Sequence, residues 1–422
     1  DGSRPFYTTY VCADGKLLSI GCTEPHLWHN FCDAVDRPDL KSAERLPGLG
    51  PLGLRPDRGV PVVGATSEAA AVVDALAVDT VFLALPLEAE VGVGKIVHDE
   101  HVALADELDE GNVWESLLEE HVAGLFGHEG ALFMPTGSMA NVLAVRSLVA
   151  PGQEVLCESR AHIARAELGA HGAYSGVTMR TWIHERGQVD LPVIRSLFAP
   201  DMGPFFVPTA AISVENTHNF AGGAVLPISD LRDLREFTTG VGARIHMDGA
   251  RIWNAHVATG VPLAEYGAIA DVMAVCLSKG LGAPIGSLLV GDADTVTEAR
   301  VWRKRMGGGM RQVGILAAAG LVALESMVDR LAEDHANAAR LAGALARMAR
   351  VRLDPGKVQT NIVIFHVDRE GGAAELAAGC LARKVKIHQI GPGAIRCVTH
   401  KDVDREDIDR AIDAFREITK PW

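Results

Sequence analysis

The sequence predicts an α/β protein: a large unit on a mostly parallel sheet with helices on both faces, followed by a smaller C-terminal α/β unit. Three observations carry this expectation. From about residue 113 onward, short apolar runs alternate with helix-length stretches, the pattern of a parallel sheet with crossover helices. Several runs end in glycine, serine or a charged residue, and ligand groups gather at the carboxyl ends of such strands. From about residue 300 the text changes to alanine-rich helices followed by three short strands and a closing helix.

In order, Leu118, Val122 and Leu125 repeat at i, i+4 and i+7 after Trp114, and Gly127 ends that helix. Ala131 to Met134 is a strand, Pro135-Thr136-Gly137-Ser138 a turn, and a helix runs from about Met139 to Val149. Strands are expected at 154–157, 177–182, 210–215, 243–248 and 271–277, with helices near 162–170, 191–198 and 228–239. Helices through 314–348, strands at 361–365, 385–388 and 394–398, and a helix marked by Ile408, Ile412 and Phe415 complete the tail.

The earlier part reads differently. Tyr7 to Tyr10 and Leu17 to Gly21 suggest two short strands around Asp14-Gly15, followed by a helix. Seven Pro and Gly residues between 47 and 59 mark a linker; 68–77 suggests a helix and 80–85 a strand. His98-Asp99-Glu100-His101 has metal-ligand residue types, but with no further ligand in view it reads as a solvated acidic surface.

The whole chain has 422 residues, 48% of them hydrophobic and 22% charged, enough to bury a large core. A net charge of -14 and a pI near 5.6 argue against nucleic acid or an anionic membrane as the main partner. Seven cysteines without a C-x-x-C pair read as reduced thiols of a cytosolic protein. No apolar run approaches the roughly 20 residues of a membrane span. Asp1-Gly2-Ser3-Arg4-Pro5 lacks the basic and apolar regions of a signal peptide.

Chemistry concentrates at strand ends. Val275 to Leu277 runs into Ser278-Lys279-Gly280, which presents an amine beside a residue with no side chain, suited to a Schiff base with a carbonyl cofactor. Alone, Lys279 reads first as a solvated surface lysine, as most lysines are. Earlier, Ile245-His246-Met247 ends in Asp248-Gly249, and pyridoxal phosphate needs such a carboxylate to keep its ring nitrogen protonated. Asp248 also suits a helix cap. Their spacing allows a helical crossover that brings both strand ends to one sheet edge. The turn at Thr136 to Ser138 offers free N–H groups at a helix start, for an anion or for a Ser138 cap. Arg396, in an apolar strand, needs a carboxylate partner if buried and none if it lies at an edge in water.

Together, G-H-E-G-A-L-F-M-P-T-G-S-M-A-N (127–141), S-V-E-N-T-H-N (213–219), H-M-D-G-A-R-I-W-N-A (246–255), C-L-S-K-G-L-G-A-P-I-G-S-L-L-V-G (276–291) and W-R-K-R-M-G-G-G-M-R-Q (302–312) resemble the low-specificity L-threonine aldolases. These belong to the beta-eliminating lyase branch of the fold type I pyridoxal phosphate enzymes. The resemblance implies that Lys279 forms the Schiff base, Asp248 partners the ring nitrogen and Arg251 lies near the ring hydroxyl. Gly137 and Ser138 would hold the phosphate, helped by Arg311 from a neighbouring subunit. His162, in A-H-I-A-R-A-E, would stack on the ring, His218 would line the substrate side, and Arg396 would bind the substrate carboxylate. No metal ligand set is implied. The reaction implied is retro-aldol cleavage of threonine or allo-threonine to glycine and acetaldehyde, in a homodimer or homotetramer with shared sites. The base would be His162, His218 or a water they position.

The family's opening D-L-R-S-D-T and V-Y-G-E-D segments, which supply a substrate-binding serine and a site tyrosine, are absent. Their nearest counterparts are Asp79-Thr80-Val81 and Asp109-Glu110-Gly111-Asn112. Residues 1–45, with P-F-Y-T-T-Y, A-D-G-K and E-P, instead resemble a fragment of the family III CoA-transferases and 2-methylacyl-CoA racemases. The expected organisation is therefore an arm over 1–45, a linking segment over 46–112, a cofactor-binding unit over 113–300 and a small unit over 301–422.

Overall fold

The computed structural model describes residues 7–11, 17–21 and 113–422. The chain divides into two units, Asp1–Glu107 and Leu108–Trp422. Within the first, β1 (Tyr7–Val11) and β2 (Leu17–Gly21) pair antiparallel, Tyr7 opposite Gly21. The Asp14-Gly15 turn, the helix after the hairpin, the elements expected at 68–77 and 80–85, the His98–His101 pair and the 79–81 and 109–112 segments lie outside the described residues.

The second unit opens with α1 (Val113–Phe126), whose Leu118, Val122 and Phe126 are buried against the core. It continues through β3 (Gly130–Met134), α2 (Gly137–Leu148), β4 (Glu154–Glu158), α3 (His162–Arg165), α4 (Ala170–Ser175), β5 (Thr178–Trp182) and α5 (Leu191–Leu197). Then come β6 (Thr209–Glu215), α6 (Ile228–Val241), β7 (Arg244–Gly249), α7 (Ile252–Thr259), α8 (Leu263–Ile269), β8 (Val272–Cys276), β9 (Ser287–Gly291) and α9 (Ala293–Arg305). Seven of these strands form one sheet in the order β3-β9-β8-β7-β6-β4-β5. The neighbours from β8 to β5 run parallel, whereas β9 pairs antiparallel with both β3 and β8. Strands β4, β8 and β9 are buried at every residue, because helices cover both faces of the sheet. Phe126 and Trp253 meet edge to face, centroids 5.5 Å apart, in the core on one side of the sheet.

The tail comprises α10 (Gly314–Met327), α11 (Leu331–Leu345), β10 (Val351–Arg352), β11 (Ile362–Val367), α12 (Gly372–Ala382), β12 (His388–Gln389), β13 (Ala394–Val398) and α13 (Arg405–Thr419). Its antiparallel sheet has the order β10-β11-β13-β12, and Phe365 packs on Phe415 in a separate apolar core.

Four differences from the sequence reading stand out. The helix expected over 162–170 is two short helices, α3 and α4, separated by Leu168 and Gly169, both at positive φ. The strand expected at 385–388 shrinks to His388–Gln389, and α9 runs through residue 300. Strand β9 was not anticipated; it fills the sheet between β3 and β8. Among the described residues no helix is long and apolar enough to cross a membrane.

Candidate functional site

Parallel strands β4, β6, β7 and β8 deliver Glu158, Glu215, Asp248 and Cys276 at their carboxyl ends, and Lys279 lies just beyond β8. The register sets Glu215 beside Asp248, so the acidic groups and the lysine loop share one edge, as the crossover argument requires. Asp248 is 2% exposed. Its Oδ2 accepts from Asn141 Nδ2 at 2.9 Å and its Oδ1 from the Ala250 amide at 3.0 Å, which fixes the carboxylate plane.

Lys279 Nζ has a soft partner, Cys276 Sγ at 3.3 Å, which also accepts from Ser287 Oγ at 3.2 Å. A thiol holds an ammonium weakly, so the amine stays available for reaction. The α2 start packs directly on this pair. A Cβ at Gly137 would lie 2.9 Å from Cys276 Sγ, so glycine is needed for the turn to come this close. Thr136 Oγ1 caps α2 by accepting from the Met139 amide at 3.1 Å, so the cap is Thr136 and Ser138 is left exposed at the helix start. The anion-site geometry and the cap thus coexist, on different residues.

His162 opens α3 and is partly exposed. Its Nδ1 meets Glu167 Oε1 at 2.9 Å, and its backbone amide donates to Glu215 Oε2 at 2.7 Å. The hydrogen bond to Glu167 raises the His162 pKa, burial opposes this, and the charges of Asp248, Glu167 and Glu215 add to the rise. Glu167 is buried, which works against its charge, yet bonds from His162, His171 and Asn141 hold its pKa down at about 2. Burial pushes the Glu215 pKa up; the nearby His218 opposes this.

His218 is fully enclosed, 0% exposed. Its Nε2 lies 3.1 Å from Glu158 Oε2, an ion-pair distance whose angle falls outside hydrogen-bond geometry. Burial again opposes the Glu158 charge, and His218 with the amides of Arg160 and His184 brings its pKa to about 2. Gly187, at φ +65°, lies flat against the imidazole, where a Cβ would overlap the ring.

Two arginines complete the edge. Burial lowers the Arg251 pKa, with the negative charge of Glu215 opposing. Arg396 faces the same region from β13: its Nη1 donates to Asn219 Oδ1 at 3.0 Å, while its buried Nε has no hydrogen-bond partner. Arg396 is therefore not an edge arginine in water, and its fork retains capacity for a carboxylate. Arg311 is exposed in the loop after α9, and no contact joins it to these groups.

The structure thus brings together Gly137, His162, His218, Asp248, Arg251, Lys279 and Arg396. Sequence reasoning missed Asn141, Glu158, Glu167 and Glu215 as site groups. Asn141, Glu167 and Glu215 lie inside the quoted motifs, and Glu158, like Glu215, carries the signal of an acid closing an apolar strand. Ligand atoms of His162, Glu167 and Asp248 lie within 4.8 Å of one another. N–H donors from Asn141, His171 and Ala250 already point at these carboxylates, so hydrogen bonds close the cluster.

The residues fit pyridoxal phosphate on three counts: a weakly held amine, a fixed buried carboxylate and a tight turn at a helix start. Comparisons with known proteins point the same way. The beta-eliminating lyase family profile matches residues 100–370, and that of CoA-transferase family III matches residues 1–119, further than the arm expected over 1–45. The low specificity L-threonine aldolase of Escherichia coli K12 is 41% identical over 292 residues, 69% of this chain and 85% of that protein. Low-specificity L-threonine aldolase 1 of Arabidopsis thaliana is 36% identical over 308 residues, 71% and 85% of the two chains. Among solved structures, the Leishmania major threonine aldolase superposes with a TM-score of 0.61 at 19% identity, covering 68% of this chain and 84% of that one. The serine palmitoyltransferase of S. paucimobilis, with a bound pyridoxal phosphate–myriocin aldimine, gives a TM-score of 0.59 at 17% identity, covering 73% and 77%. Carrying a fold type I sheet, a lysine and an aspartate at its carboxyl edge, and motifs shared with these relatives, the chain belongs to the beta-eliminating lyase family.

Proposed function

We propose that this protein is a pyridoxal phosphate-dependent threonine aldolase that cleaves L-threonine or L-allo-threonine into glycine and acetaldehyde. The observation that carries the reading is the pairing of Lys279 and Asp248 at one sheet edge, with motifs shared with relatives named for that reaction. Bound pyridoxal phosphate supplies a carbonyl carbon for amine exchange and a protonated ring that accepts the electrons of the breaking Cα–Cβ bond.

The chain's own residues do the rest. Lys279, held only by Cys276 Sγ, would hold the cofactor through its amine. Asp248, fixed by Asn141 and Ala250, keeps the proton on the ring nitrogen. Gly137 and Ser138 would hold the phosphate, and Arg251 would serve the ring hydroxyl. Arg396 takes the substrate carboxylate through its unused Nε, while Asn219 steadies Nη1. His162 takes the proton of the β-hydroxyl, directly or through a water: its Nδ1 is anchored on Glu167, which leaves Nε2 for the substrate side. His218 is enclosed, and its role is to orient this wall with Glu158. Arg311, exposed here, would act on the phosphate of a neighbouring copy in a homodimer or homotetramer.

A second reading, cofactor binding with impaired turnover, is favoured by the lack of the family's serine and tyrosine segments at 79–81 and 109–112. One experiment separates the two. The visible Schiff-base absorption is recorded with cofactor, then with threonine, for the wild type and Lys279→Ala. A band absent from Lys279→Ala, with acetaldehyde released by the wild type, supports the aldolase. A band without product supports the impaired site, and no band in the wild type refutes both.

A further inference from the structure

Two buried carboxylates on different elements share one amide nitrogen. Asn141 of α2 is 2% exposed, and its Nδ2 donates to Glu167 Oε1 at 2.8 Å and to Asp248 Oδ2 at 2.9 Å. Its Oδ1 is buried without a partner, so the side chain is placed for its donor. The reversed amide would aim an oxygen at two anions, so the network itself fixes the orientation. An amide nitrogen has two hydrogens and no charge, and can serve both carboxylates at once. Without it, two buried negative charges would face each other, and one would relieve the repulsion by taking up a proton.

The consequence reaches beyond the pair, because Glu167 also receives His162 Nδ1 at 2.9 Å and His171 Nε2 at 2.7 Å. A protonated Glu167 would no longer hold His162 against a negative charge. We propose that Asn141 is a positioning residue that bridges Asp248 and Glu167, and so ties the ring-nitrogen partner to the charge state and orientation of His162. The catalytic meaning of this tie rests on the pyridoxal phosphate reading; the tie itself belongs to the chain alone. The charged groups facing His162 are Glu167 from the α3–α4 connection, Glu215 from β6 and Asp248 from β7. Beyond Glu167 stand His171 of α4 and His246 of β7, and burial holds His246 neutral with a pKa near 4. Against burial, the low Glu167 pKa comes first from the bonds of His162 and His171, and the bond from Asn141 adds to it; Glu167 in turn raises the His162 pKa.

The test is the titration of His162 in the cofactor-free protein, followed by NMR of histidine-labelled chain. In Asn141→Ala the midpoint is expected to fall by roughly half a unit or more, about a threefold loss of proton affinity. In Asn141→Ser, whose single hydroxyl can serve one carboxylate, the fall is smaller. The double variant Asn141→Ala/Glu167→Gln should titrate like Glu167→Gln alone, since both changes act through one charge. A wild-type midpoint in either folded Asn141 variant, or additive shifts in the double variant, overturns the proposal. If neither Asn141 variant folds, the wild type decides: both Nδ2 protons of Asn141 must exchange slowly with solvent, and fast exchange of either overturns the bridge. A parallel arm follows the pH titration of the Schiff-base absorption in loaded Asn141→Ala, expected to shift from that of the wild type. Absence of that band in the wild type refutes the cofactor reading while the His162 titration still judges the bridge; a normal band with an unmoved His162 refutes the bridge alone.

Discussion

His162 and His218 show how one residue type acquires two roles from its surroundings. His162 is anchored by Glu167 with one face toward the site, whereas His218 is walled in by Glu158 and the flat face of Gly187. If His162 is the base it must be neutral to accept a proton, and its pKa is raised above 6.5. The acid limb of the kcat/KM–pH profile should therefore lie above 6.5, and a limb at or below that value would count against His162. Gly187→Ala should cost about 1–3 kcal/mol through overpacking and strain at positive φ, read as a lower thermal midpoint. Lys279 and Asp248 were legible in the sequence because each closes an apolar strand, a signal carried by neighbouring residues. Asn141 was not, because the partner that matters, Asp248, lies far along the chain, and no local spacing encodes that distance.

At the scale of elements, the parallel strands were readable as continuous apolar runs, and the first helix by its i, i+4 spacing. Helices α7 and α8 were foreseen only as an unbounded helical crossover between the Asp248 and Lys279 strands. Both are short, and α7 buries Ile252, Trp253, Asn254 and Ala255 in succession, so its pattern does not separate an inner from an outer face. Strand β9 follows the lysine loop so closely that it reads as the end of that motif, and its antiparallel direction is invisible to a pattern of alternating strands and helices. The closing helix α13 has a clearer signature, a capping box in which Asp404 and Asp407 bond each other's backbone amides. Asp404→Ala should cost about 0.5–2 kcal/mol, measurable in urea as a lower midpoint with unchanged slope.

Across the whole molecule, buried acids and histidines at the sheet edge make stability depend on pH. Glu158 and Glu167 have native pKa values near 2 against an ordinary 4.5. Their contribution is therefore complete above about 4.5 and is lost as pH falls toward 2. His246 adds a second loss at higher pH: buried and neutral with a native value near 4, it binds fewer protons than the unfolded chain between 6.5 and 4. His335, with a value also near 4, acts in the same direction, while the raised pKa of His162 opposes both. In urea unfolding at a series of pH values, stability should fall less steeply between 6.5 and 4 in His246→Gln than in the wild type, and equal slopes would contradict the burial of His246.

The antiparallel placement of β9 has one more implication. Residues 277–286 join two strands that are bonded side by side, with Cys276 opposite Ser287 and the Leu277 amide donating to the Gly286 carbonyl at 3.0 Å. The reactive lysine thus sits on a closed backbone span of fixed length. Adding or deleting one residue there must be absorbed within the span; otherwise it would slide β9 by one position and move each of its side chains to the opposite packed face between β3 and β8.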